Sequence, residues 1–321
     1  MNKWNLLDIL YQNASEYISG EKISESLNVT RSAIWKYMNE LKSDGYEIES
    51  RSKVGYRLTV PEDVLNAYEL DSQLKALGLG DVDSVFFRTL HSTNTFAKAH
   101  EAEHKSSLIV AESQTAGRGR FDRFFHSGGG GIYMSAVFRS GTADNLQLAT
   151  VIAALAVVRM ISAEADISAS IKWPNDILFE RRKLCGILTE ASVEAESRRL
   201  LYLVIGIGLN VNERESDFNG GIADIATSLK MITGRQFNRA RLIALILAEL
   251  HKLLQTDQES ILAEYRRHII LDVPVTIKSY TENFTGTAVD IDASGRLIVE
   301  TENGEHKTVQ SGEIEFVRDT R

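Results

Sequence analysis

The spacing of apolar residues changes twice along this chain, and those two changes constrain the fold more tightly than any single motif. Up to about residue 60 they recur at helical intervals: Trp4, Leu7, Leu10 and Tyr11, then Ile23 and Leu27, then Ile34, Met38 and Leu41. From Val82 to about His268, short β-rich runs alternate with helical stretches, the order of a mixed α/β (α+β) domain. From Val273 to Arg321 only short alternating runs remain, broken by the turns Asp292-Ala293-Ser294-Gly295 and Glu302-Asn303-Gly304, which predicts a small SH3-like β-barrel. A chain of 321 residues exceeds one ordinary core, so three units and a linker are predicted: 1–62, the linker 63–80, then 81–270 and 271–321.

In the first unit Ser19-Gly20 can open a second helix, and after a break at Asn28-Val29, Thr30 can cap a third. The outer face of that third helix carries Arg31, Ser32, Trp35, Lys36 and Asn39, a set suited to phosphates and base edges. Asp44-Gly45 ends it, and the runs Tyr46 to Ser50 and Gly55 to Leu58 read as a hairpin or wing bearing Arg51, Lys53 and Arg57. Helix, tight turn, helix is the helix-turn-helix pattern. Acidic and basic residues cancel over this segment, and a net charge of −8 excludes an overall basic nucleic-acid binder. Placement on one face therefore carries the DNA reading, against a small helical protein-interaction domain with solvated charges. Pro61 marks a boundary, after which Val64 to Leu79 reads as a linking helix ending at Gly78 or Gly80.

In the central unit, Gln114-Thr115-Ala116-Gly117-Arg118-Gly119-Arg120 and the run Gly128 to Gly131 lie between two buried strands, Leu108 to Ala111 and Ile132 to Phe138. Glycine lets the backbone approach a ligand, and guanidinium groups match carboxylate and phosphate oxygens. An anion cradle and a flexible basic loop both fit that composition. His91-Ser92-Thr93-Asn94 is a polar corner that can cap a helix or hold a neutral polar ligand group. Leu146 to Ala163 is apolar all round, a buried core helix.

Further on, Ile171-Lys172-Trp173-Pro174-Asn175-Asp176-Ile177 leads through the turn Glu180-Arg181-Arg182 into a returning strand from Lys183 to Glu190. Lys172, Lys183, Asn175 and Asp176 together suit an anionic substrate with a hydrated Mg²⁺; a surface hairpin with a salt bridge is the alternative. Leu203 to Asn212 contains Gly206 and Gly208 but lacks the third glycine and the helix of a dinucleotide fingerprint, and no Walker loop or His/Cys metal cluster occurs. The single Cys185 forms no internal disulfide and suits a small buried position. Arg239 to Gln255 is an amphipathic helix that closes the domain. With no secretion signal and no apolar stretch long enough to span a bilayer, the cytoplasm is the expected location and no membrane partner is expected.

Taken in order, Ser92-Thr93-Asn94, Gln114 to Arg120, Lys172-Trp173-Pro174-Asn175-Asp176, Arg182 to Leu188 and Gly206 to Asn212 make a chain that strongly resembles the biotin-protein ligases over nearly its full length. The winged-helix start resembles their bifunctional members, the biotin operon repressors. The resemblance implies a class II synthetase-like ligase domain with biotin and MgATP as substrates, a lysine of a biotin carboxyl carrier protein as acceptor, and operator DNA bound as a homodimer. By motif, Ser92, Thr93, Asn94, Gln114, Gly117 and Gly186 would line the biotin pocket. Arg118, Gly119 and Arg120 would close over biotin and the adenylate phosphate, and Lys183 would stabilise the reacting charge. Lys172 and Asn175 would serve ATP phosphates, Asp176 Mg²⁺ and Arg123 pyrophosphate. A biotin sensor without catalysis and a lipoate-type ligase are the alternatives. The chain departs from the family at Asp122, usually glycine, at Phe125, usually tryptophan, at His91, commonly acidic, and at its four glycines. Asp122 is expected to weaken ATP binding unless it points at Arg123 or the metal.

Overall fold

The computed structural model describes residues 2–99, 107–139, 148–194, 196, 200–218, 220–279 and 282–316, apart from the side chain of Asp122. The first unit folds as its periodicity predicts. α1 (Lys3–Gln12), α2 (Gly20–Leu27) and α3 (Arg31–Ser43) precede a hairpin of β1 (Glu47–Arg51) and β2 (Gly55–Thr59). Ser19 and Thr30 accept from backbone amides three residues on, so each supplies an acceptor to a donor that the helix start would leave unpaired. Leu6, Leu7, Leu10, Ile23, Ile34, Met38 and Leu41 close a core of their own under the hairpin.

α4 (Ala67–Ala76) is shorter than the predicted linking helix, because Asn66 caps its start and Leu77 and Gly78 unwind its end. It is a two-sided bridge. Tyr11 and Tyr46 of the winged helix both donate to Glu69, at 2.8 and 2.6 Å, while Leu70 and Leu74 join the core of the central domain.

The central domain is built on a sheet ordered β3-β4-β5-β9-β8-β7-β6. Its strands are β3 (Asp83–Leu90), β4 (Ser107–Gln114), β5 (Ile132–Phe138), β6 (Ser170–Lys172), β7 (Asp176–Phe179), β8 (Arg182–Val193) and β9 (Leu200–Leu209). Only β3 and β4 pair in parallel, with α5 (Thr93–Ala99) between them in sequence. α6 (Ala149–Ala165), α7 (Leu229–Thr233), α8 (Arg239–Leu253) and α9 (Gln258–His268) complete the domain. α6 is buried nearly all round, as an unpatterned apolar run requires. Leu146 and Gln147, expected in that helix, and residues 317–321, expected in the last domain, lie outside the described residues.

The last domain is an antiparallel sheet ordered β13-β12-β11-β10-β14, from β10 (Val273–Lys278), β11 (Asn283–Ile291), β12 (Leu297–Glu300), β13 (His306–Val309) and β14 (Glu313–Phe316). The buried indole of Trp173 donates to Gly295 O at 3.0 Å, fastening this domain to the corner between β6 and β7. No helix among the described residues is long and apolar enough to cross a membrane.

Candidate active site

A cavity of about 380 Å³ opens on the face of the central sheet opposite α6, at the end where the loops from β4 and β6 converge. One side is neutral and buried. Ser92, Thr93 and Asn94 sit at the start of α5, each less than a tenth exposed. Gln114, the last residue of β4, accepts from Thr93 N at 2.8 Å and donates to Ser127 Oγ at 2.9 Å. Asn94 Oδ1 accepts from Ser135 Oγ at 2.6 Å, and its amide donates to Leu188 O at 3.1 Å and Glu190 Oε2 at 2.9 Å. These groups orient one another. Ser135 escaped the sequence reading although its signal was present: a hydroxyl in the middle of the otherwise apolar run Ile132 to Phe138.

The floor is made of glycine. A Cβ on Gly206 would meet Asn94 Oδ1 at 2.1 Å, and one on Gly208 would meet the Phe125 ring at 2.5 Å. Gly186 faces Gly208 across β8 and β9, and its own Cβ would come 3.0 Å from the same ring. The two glycines thus form a slot that receives Phe125. The spaced glycines of β9 serve close approach of the Asn94 and Phe125 side chains.

The basic loop is folded rather than loose. Phe125 N donates to Gly117 O at 2.9 Å and Gly119 N to Arg123 O at 2.7 Å, so the segment is a small hairpin, turned at Phe121 in the left-handed region. Gly117 is not among the lining residues, contrary to expectation. A Cβ there would strike Phe125 O and Ser127 Oγ at 2.5 Å, so its smallness lets the two arms of the loop cross. Arg118, Gly119, Arg120 and Arg123 do line the cavity, with Gly186 below them. Arg120 donates to Gly312 O at 2.8 Å, and Arg123 pairs with Glu313 at 2.5 Å, so the last domain holds the loop from above. The acidic domain covers the site, and Glu313 and Glu315 stand in its lining. The Asp122 side chain lies outside the described residues.

The other side is charged. Asp176 opens β7 and pairs with Lys183 Nζ, near the start of β8, at 2.7 Å. Asn175 Nδ2 donates to Ile187 O at 3.0 Å, which fixes the carboxamide beside Arg120 Nη1 at 3.4 Å. Burial pushes the Lys172 ammonium below its usual range, Asp176 opposes that, and Lys183 adds to it. The corner is a hairpin with Trp173-Pro174 at its bend. Cys185 is fully buried, and burial raises its thiol well above the ordinary value. No group of three or more His, Cys, Asp or Glu gathers as a metal site among the described residues. One carboxylate beside an open anion site is nonetheless a fitting donor set for Mg²⁺, which keeps waters and phosphates as its other ligands. Phe218, Ile222 and Ile225, which the sequence reading did not single out, form an apolar wall.

On the winged helix, Arg31, Ser32, Trp35, Lys36 and Asn39 are all exposed on α3, and Trp35 is 64% exposed. The wing is less free than expected. Arg51 and Arg57 both pair with Glu49, at 2.8 and 2.6 Å, and both lie over the Tyr17 ring, whereas Lys53 stands exposed at the turn.

Three family models match along the chain: an HTH domain over residues 4–57, the biotin/lipoate A/B protein ligase family over 86–210, and the biotin protein ligase C terminal domain over 270–317. The bifunctional ligase/repressor BirA of Bacillus spizizenii is 38% identical, with 97% of this chain and 98% of that protein covered. Its namesake from Escherichia coli K12 is 31% identical over 93% of this chain and 92% of that one. Among solved structures, the biotin protein ligase of Aquifex aeolicus in complex with biotin and ATP matches with a TM-score of 0.62 at 28% identity, covering 74% of this chain and 99% of that one.

Proposed function

The chain belongs to the biotin-protein ligases of the bifunctional ligase/repressor type, and from that footing we propose how its two activities divide among its residues. The ligase forms biotinyl-5′-AMP from biotin and ATP and passes the biotin to a lysine of a carboxylase carrier protein. The winged helix binds operator DNA. One observation carries the division of roles: the cavity joins a neutral, prearranged side to a cationic side across one glycine floor.

Ser92, Thr93, Asn94 and Gln114 hold the biotin head group, with Gly186 beneath it and Arg118 and Gly119 covering the carboxylate. In the first step a biotin carboxylate oxygen attacks the α-phosphorus, the bond to the β-phosphate oxygen breaks, and pyrophosphate leaves with that electron pair. Lys183 and Arg120 neutralise the charge that gathers on the carboxylate and the α-phosphate. Lys172, Asn175 and Arg123 take the outer phosphates, and Asp176 would hold the Mg²⁺ that screens them. In the second step the ε-amine of the carrier lysine attacks the acyl carbon, AMP leaves, and the amine gives up its proton. Neither step needs an enzyme nucleophile; oriented reactants and preset charges suffice.

Arg31, Ser32, Trp35, Lys36 and Asn39 read the major groove, with Arg51 and Lys53 at flanking phosphates. The DNA-bound form is a homodimer whose two recognition helices meet half-sites about one helical turn apart. The domain limits are 1–62, 81–270 and 271–321 with the linker 63–80, and the cytoplasm is the working compartment.

Incubation with biotin, MgATP and a carrier domain should label the carrier and release pyrophosphate. Lys183→Ala should lower adenylation by roughly 10²- to 10³-fold, the loss expected for one donor to a developing anion. Adenylation of lipoate in preference to biotin, or binding of biotin with no pyrophosphate, would defeat this reading. Arg31→Ala and Lys36→Ala should weaken DNA binding across sequences and lower its salt slope by about one each, with ligation intact.

A further inference from the structure

Between the winged helix and the ligand loop lies a buried charge cluster that neither step of the reaction employs. Arg239, the first residue of α8, has a side chain 7% exposed and meets two carboxylates. Its Nε donates to Asp63 Oδ2 at 2.7 Å, and its Nη1 donates to Glu112 Oε1 at 2.8 Å. Nη1 also donates to Gly131 O at 3.2 Å, where the loop enters β5. Asp63 lies between the winged helix and α4, and its side chain is only 5% exposed. It accepts two further bonds, from Arg239 N at 3.1 Å and from Asn212 Nδ2 at 2.8 Å.

Asn212 extends the chain of contacts. Its backbone N–H donates to Gly130 O at 2.8 Å, and its Oδ1 accepts from Phe237 N at 3.0 Å. Gly130 needs that seat, because its φ is +100° and a Cβ would lie 3.3 Å from Glu213 N. Two residues earlier, Asn210 donates to Lys183 O at 3.4 Å and Thr227 O at 2.9 Å. Of the two carbonyls at the loop's return, Gly131 is therefore held by the guanidinium that Asp63 orients, and Gly130 by the backbone of Asn212, whose side chain bonds Asp63.

We infer that Asp63 and Arg239 are positioning residues of the ligase site: through them, the segment that joins the winged helix to the central domain sets where the ligand loop re-enters the sheet. A buried ion pair contributes little net stability relative to apolar packing, but losing one partner frees the other to move or draw in water. Here the displaced group would be Arg239, and with it Gly131 and Glu112. The inference rests on the ligase reading. It adds that the linker is part of the biotin site's support.

The test uses the full chain and compares Asp63→Ala, Asp63→Asn and Arg239→Lys with the parent protein. Biotin affinity is measured by calorimetric titration, and KM and kcat by pyrophosphate release. Asp63→Ala should raise the biotin Kd and KM about tenfold, which is about 1.4 kcal/mol of binding, with kcat within about twofold. Asp63→Asn, which keeps one acceptor oxygen toward Arg239 Nε and Asn212 but turns an amide donor toward Arg239 N, should recover part of that loss. Arg239→Lys, which cannot reach both carboxylates and Gly131 O, should behave like Asp63→Ala. Unchanged biotin Kd in folded variants would overturn the inference while leaving the ligase intact, as would a loss of active protein with KM unchanged. If Asp63→Ala does not fold, Asp63→Asn and Arg239→Lys decide by the same two readouts. Failure of the parent protein to bind biotin would overturn the ligase reading and this inference together.

Discussion

The two halves of the cavity solve opposite problems. The biotin half is lined by neutral groups bonded to each other, from Thr93 to Gln114 to Ser127 and from Ser135 to Asn94, with the Glu190 carboxylate, already paired with Lys98, behind the Asn94 amide. The phosphate half is built of charges paired with other charges, Lys183 with Asp176 and Arg123 with Glu313. A neutral ligand end gains from a site whose rotamers are already fixed, because little ordering remains to be done on binding. A polyanion gains from cations, but cations left alone in a crevice repel one another; here carboxylates and the Gly312 carbonyl hold them until the phosphates come. Recognition on one side is therefore by shape, and on the other by exchange of partners.

The largest effect that would sharpen this contrast is at Gly206. Gly206→Ala places a methyl 2.1 Å from Asn94 Oδ1, and the carboxamide must leave its three partners. With about one to three kilocalories lost per buried group left unpaired, the biotin KM should rise about tenfold to a hundredfold while the ATP KM stays near its starting value. Parallel change in both constants would mean that the halves are not independent.

The next effect concerns proton linkage behind the biotin half. Burial pushes the Glu213 carboxyl up to about 7, although Val211 N, Tyr133 and Arg239 pull it down. A carboxyl whose folded value lies above its unfolded one keeps its proton in the native state alone as pH rises from about 4.5 to 7. Stability should therefore fall across that window, by about 3 kcal/mol in total. Glu213→Gln should flatten this slope in denaturant melts taken at several pH values; an unchanged slope would assign it elsewhere. The smallest effect is that of salt. Raising ionic strength from about 0.05 to 0.5 M should raise the ATP KM several-fold by screening the exchangeable cations, and move the biotin KM much less. Equal sensitivity would erase the distinction.

Much of this was legible in the residues, and the exceptions share a cause. Ser19 and Thr30 announced their helices because capping is a local chemistry, and Ile34, Met38 and Leu41 announced a buried face because helical spacing is local too. That Ser92 and Gln114 meet Lys172 and Lys183 was legible only through resemblance, since the two groups are joined through the sheet order β4-β5-β9-β8-β7-β6, which no short window contains. The packing reason for glycine at 117 was hidden in the same way: its neighbours Phe125 and Ser127 become visible only when the loop folds back. The pairing of Arg51 and Arg57 with Glu49 depended on hairpin register, which sets Glu49 opposite Arg57. Asp63 gave no signal at all, because its partners Arg239 and Asn212 lie far along the chain.

The separate core under the winged helix has a bearing on how the molecule is made. Its residues run without interruption from Leu6 to Val64, so every contact it needs leaves the ribosome before the central domain is synthesised. The central sheet has no such advantage, because β5 pairs with β9 and must wait for some sixty further residues. Nascent chains should thus pass through a stage in which the DNA reader is folded and the ligase is not. In that stage α4 has only the winged helix to hold it, with the apolar Leu70 and Leu74 uncovered until the sheet arrives to bury them.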